Sequence, residues 1–84
     1  MTRIYRIVKT NTKGHVEMTI QAENQREARQ KAPSLIGFKP SRREGCKGVN
    51  HLEVYSERGK LLARKIGLMP WQVLMKSGEW KLVW

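Results

Sequence analysis

The chain has no aspartate, a single cysteine and no long apolar run. Each absence removes a class of protein. All seven acids are glutamates, so a Mg²⁺ or Ca²⁺ site could draw on Glu alone, and the EF-hand pattern is missing. One cysteine cannot close an internal disulfide, which excludes a disulfide scaffold and gives no reason to expect an oxidising compartment. Cys46, His15 and His51 are the only cysteine and histidines. They cannot supply the four paired ligands of a structural zinc site. No metal and no cofactor is expected. The chain also lacks a Walker A motif, a GxGxxG and a GxSxG. No stretch approaches the roughly 18 apolar residues of a membrane helix. Met1-Thr2-Arg3-Ile4-Tyr5-Arg6 lacks the apolar region of a signal peptide. A cytoplasmic location follows as the expectation.

Positive charge is what the sequence has in excess. There are 17 Lys and Arg against 7 Glu, a formal charge of +10 on 84 residues. The sequence pI is about 10.4. Such a field favours nucleic acid, anionic membranes or acidic proteins as partners, and nucleic-acid domains commonly have a pI above about 9. The composition, 39% hydrophobic and 29% charged, is that of a globular chain rather than a disordered one. The length allows one small domain spanning residues 1–84.

Arg3 to Thr10 reads as a strand, rich in β-branched and aromatic residues. Asn11-Thr12-Lys13-Gly14 is turn chemistry. His15 to Ala22 then alternates, with Val16, Met18, Ile20 and Ala22 on one face. Asn24 caps a helix and Glu27 occupies the capping-box position. Ala28, Ala32, Leu35 and Ile36 form its apolar stripe. Pro33 either ends the helix near Lys31 or kinks it on the way to Gly37; the stripe favours the second. Phe38 to Gly48 is a polar loop. Val49 to Ser56 is a third strand with Leu52 and Val54 as its core residues. Glu57-Arg58-Gly59-Lys60 turns the chain into a fourth, Leu61 to Ile66. Trp71–Met75 and Trp80–Trp84 form a closing hairpin around Lys76-Ser77-Gly78-Glu79. The order β-β-α-β-β plus a C-terminal hairpin predicts an α+β domain, a largely antiparallel sheet with one helix packed across a face.

Two groups of residues are candidates for binding. One is basic: Lys39, Arg42, Arg43 and Lys47 in the loop, with Arg58, Lys60, Arg64 and Lys65 on the following hairpin. Arg forks grip phosphate oxygens in pairs and Lys acts as a point charge. The other is aromatic: Trp71, Trp80 and Trp84, with Tyr5, Tyr55 and Phe38, which stack on unpaired bases where exposed and fill the core where buried. At least two of the three tryptophans are expected to be core. Arg26, Arg29 and Lys31 mark a solvated helix face that could extend the basic surface. Cys46 in a basic loop, near His51, is the one candidate for catalysis. No third orienting group accompanies it, and the chain is read as a non-enzyme.

The passages Ile20-Gln21-Ala22-Glu23-Asn24 through Glu27-Ala28 to Lys31-Ala32, Cys46 followed by Leu52 through Gly59, and Lys76-Ser77-Gly78-Glu79-Trp80-Lys81-Leu82-Val83 occur in an order that resembles small bacteriophage inhibitors of host machinery, in particular anti-CRISPR proteins of the type I systems. The first half is also similar to archaeal ribosomal proteins of the LX type. The first resemblance implies a non-enzymatic inhibitor in a bacterial host cytoplasm. It would dock on a host nucleic-acid-processing complex through Lys and Arg and block nucleic-acid access, as a monomer or homodimer. A basic chain cannot act as a DNA mimic, since mimics are acidic. The alternative is direct, sequence-non-specific binding of DNA or RNA. Neither reading involves a membrane or a small-molecule substrate.

Overall fold

Alternation along the chain becomes a six-stranded antiparallel sheet in a computed structural model, which describes residues 2–11, 14–38, 50–67 and 69–83. The elements are β1 (Arg3–Asn11), β2 (Gly14–Ala22), α1 (Gln25–Ile36), β3 (His51–Tyr55), β4 (Leu61–Ile66), β5 (Trp71–Leu74) and β6 (Trp80–Val83). The sheet order is β2-β1-β3-β4-β5-β6. β1 and β2 form the first hairpin, closed at the Asn11↔Gly14 pair. The β3–β4 and β5–β6 hairpins share one turn design. Ser56 and Met75 each accept from the glycine three residues on, and each donates to the residue after that glycine. Gly59 and Gly78 take φ of 89° and 91°, the left-handed conformation that such three-residue loops demand.

The helix continues past Pro33 to Ile36 and ends at Gly37 with φ 73°. Pro33 opens the last turn, so its missing N–H removes only one helical bond. Its carbonyl accepts from the Gly37 and Phe38 amides, which closes the C-terminus. At the other end Asn24 Oδ1 accepts from the Glu27 amide at 2.9 Å. Glu27 Oε2 reaches back to the Glu23 amide, and Glu27 Oε1 pairs with Lys31 Nζ at 2.6 Å. These bonds hold the Glu27 carboxyl below its ordinary range, the Lys31 contact contributing most. Asn24→Ala is expected to destabilise the domain by about 1 kcal/mol, read as a lower denaturation midpoint at unchanged slope.

Ala28, Ala32 and Ile36 are buried against the sheet. Tyr5, Ile7, Ile20, Ala22, Leu52, Val54, Ala63, Trp71 and Val73 complete the core with Phe38. Two of the apolar positions behave otherwise. Leu35 is 54% exposed and Val16 51% exposed. Leu35 overhangs β2, which is an edge strand among the described residues, so no further described strand lies beneath it. Val16 shares its sheet face with Ile20 and Ala22, which are buried, and burial fades toward the hairpin end of β2.

A β-bulge between β3 and β4 fixes where the helix sits. Val54 pairs with Ala63, but Tyr55 pairs with Leu61, so Leu62 is the extra residue. The bulge reverses the alternation, and Leu62 packs against the core. Its carbonyl accepts from Gln25 Nε2 at 2.8 Å. The first residue of α1 is thereby tied to the middle of the sheet.

Candidate nucleic-acid interface

The helix covers one face of the sheet, and among the described residues no element covers the other, the open face. Strand register decides which side chains stand there. On β1 they are Ile4, Arg6, Val8 and Thr10, the alternates of the buried Tyr5 and Ile7. Across β3 they are His51, Glu53 and Tyr55, then Arg64 and Ile66 on β4. Gln72 and Leu74 on β5 and Trp80 and Leu82 on β6 complete the face.

Two arginines on this face lie flat on aromatic rings. Arg6 and Tyr55 are direct cross-strand partners, and the guanidinium carbon sits 4.9 Å from the phenol centroid. The Tyr55 hydroxyl donates to Glu53 Oε2 at 3.1 Å. Burial first, and the Glu53 carboxylate second, push the Tyr55 hydroxyl above the usual tyrosine range. Arg64 lies 4.3 Å from the Trp80 ring centroid. Its Nε donates to Gln72 Oε1, which holds the fork in plane. The register explains the reach: Arg64 faces Gln72, Gln72 faces Leu82, and Trp80 stands one pleat along from Leu82. Trp80 is 37% exposed. Val8 is buried on this face outside the core cluster, between its partners Glu17 and Glu53.

Of the eight residues expected from sequence to form one basic surface, Arg58, Lys60, Arg64 and Lys65 are among the described residues. Arg64 is on the open face, whereas Lys65, its neighbour, points to the helix side. There Lys65 Nζ donates to the Met69 carbonyl at 2.8 Å, and burial lowers its pKa. Arg58 and Lys60 are exposed on the β3–β4 turn. Lys39, Arg42, Arg43, Lys47, Cys46 and Trp84 lie outside the described residues. Trp71 is 8% exposed and belongs to the core. His51 stands half-buried on the open face between Thr10 and Ile66. Arg6, Glu53 and Gln72 are the additions that sequence reasoning missed, and Tyr55, one of the aromatic candidates, gains its partner here. The signal for Arg6 was its place between two buried residues of a strand, which sends it to the other face.

No family model, curated protein or solved structure matches this chain. The function therefore rests on the chain's own chemistry. Among the described residues no group of three His, Cys or Glu could hold a metal ion, and no helix is long and apolar enough to cross a membrane.

Proposed function

We propose that this chain is a non-enzymatic protein that binds single-stranded nucleic acid across its open sheet face and acts by occupying the strand. The observation that supports this reading is the pair of arginine–aromatic stacks, Arg64 on Trp80 and Arg6 on Tyr55. Guanidinium planes and aromatic rings both accept unpaired bases by stacking. A base can extend either stack while each arginine keeps its charge near the phosphates. The net +10 charge draws the strand in from a distance.

A second reading has its own support. Arg6 and Arg64 share the open face with Glu17 and Glu53, and Ile4, Trp80 and Leu82 are exposed there. Balanced charge around Trp, Tyr and Arg is also how protein hot spots are built. On that reading the chain docks on a nucleic-acid-processing complex, as the resemblance to phage inhibitors implies.

Salt separates the two. Binding of a fluorescent single-stranded oligonucleotide should weaken linearly in log–log form, with a slope of about −0.7 per phosphate contacted. Micromolar affinity with a slope steeper than about −2, that is three or more phosphates, supports strand binding. No measurable affinity at low salt refutes it. Recovery of one discrete protein complex from lysate after nuclease and high-salt washing would instead support docking on protein.

A further inference from the structure

The helix side of the molecule holds a groove that the open-face reading does not use. It lies between α1 and the β5–β6 hairpin, encloses about 460 Å³, and is lined by Arg26, Arg29, Gln30, Trp71 and Val83. Two arginines line it, and no acid does so among the described residues. They are spaced i, i+3 on α1, so both project over one edge of the helix. Their mutual repulsion and, more strongly, burial lower the pKa of Arg29.

Arg29 Nε is buried, with no hydrogen-bond partner among the described residues. The one ion pair among those residues joins Lys31 to Glu27. A buried guanidinium N–H without an acceptor is costly, because desolvation is not repaid. Two adjacent cations around a concave space are the arrangement that an oxyanion with several acceptors relieves. The fork of Arg29 offers paired N–H donors that match phosphate oxygens. Gln30 adds an amide to the lining, and the indole of Trp71 gives one apolar wall. The space falls within the range of small-molecule pockets. Lys81, on the same face of β6 as Val83, adds a further positive charge nearby.

We infer that this groove is a phosphate-binding site, with Arg29 and Arg26 as the binding side chains, and that it takes a phosphate group carried by a nucleotide or a nucleic-acid strand. The site is separate from the open sheet face. It can be present whether or not bases stack on Trp80, and its test reads a different pair of arginines.

The experiment is a titration of the full-length ¹⁵N-labelled protein with pyrophosphate, following the arginine Nε–H signals at constant ionic strength. The expected result is a saturable shift of the Arg29 and Arg26 signals with a sub-millimolar Kd, while Arg6 and Arg64 stay in place. Arg29→Lys retains the charge and loses the fork, and should weaken binding about tenfold. Arg26→Gln combined with Arg29→Gln should abolish it, with the backbone spectrum showing the fold intact. A short oligonucleotide that competes with pyrophosphate at the Arg29 signal identifies strand phosphate as the source. Saturable pyrophosphate binding without such competition identifies a free phosphate or nucleotide. Either result supports the site. Unsaturated shifts spread over all arginine signals, or an Arg29→Lys variant that binds as the native chain does, would overturn it.

Discussion

Ile7→Ala should destabilise this domain by about 3 kcal/mol, the middle of the range for deleting a buried branched side chain. Ile7 is fully buried on β1, and Met18 and Val54 are its cross-strand partners. The helix packs on β1 as well as on β2 and β3. Truncation therefore opens a space walled on three sides, with nothing free to collapse into it. For a chain of 84 residues the whole stability is roughly 4–12 kcal/mol. The loss is a large part of that, and should lower the melting temperature by more than about 10 °C. Ile7→Val removes one methylene and should cost about 1 kcal/mol. Calorimetry on the two variants gives the gradient. Equal, small effects would show that β1 is not central to the core.

Trp80→Ala should weaken binding to a single-stranded oligonucleotide by about ten- to a hundredfold, since stacking on an aromatic ring contributes about 1–3 kcal/mol per base. Trp80 lies on the edge strand β6 and is half exposed, so the fold tolerates its loss. Arg64→Lys keeps the charge and removes the plane that lies on the indole, and should reproduce most of the effect. Lys60→Ala, on an exposed turn, should lower affinity only slightly and reduce the salt slope by about one contact. That contrast separates stacking from general electrostatics. If Lys60→Ala and Trp80→Ala weaken binding equally, the open face is not the stacking surface.

The architecture was legible because each turn carries its own mark. Gly14, Gly59 and Gly78 sit where the backbone takes positive φ, and the strands between them alternate. Asn24 and Glu27 announced the helix start; Asn24 caps it as expected, while the Glu27 carboxylate accepts from the Glu23 amide, one residue before the cap. Leu35 was misread because helical spacing gives the direction of a side chain along the helix, not whether the sheet extends beneath it. The site was legible only in pieces. Arg64 and Trp80 each stood out, one as a charge and one as an aromatic. Their contact depends on the pairing of three strands, and a change of one residue in any register would turn one of them to the other face. Arg29 read as solvated for a similar reason. It is half-buried and lines a groove with Trp71 and Val83, contributed by the far end of the chain.

The strand order also has a kinetic meaning. The β1–β2, β3–β4 and β5–β6 pairings each join neighbours in sequence, and hairpins of that kind form within microseconds. The β1–β3 pairing does not. It joins Arg6 to Tyr55 and Thr10 to His51, so the helix and everything around it must be gathered in before the sheet can close. Loop closure on that scale precedes any reward from non-local contacts. The seam between β1 and β3, with Ile7 against Val54 at its middle, is then the step expected to limit the folding rate, which Ile7→Val should slow if the seam is formed in the transition state. Until it forms, the chain is a β1–β2–helix half and a strand meander, each with an unpaired edge.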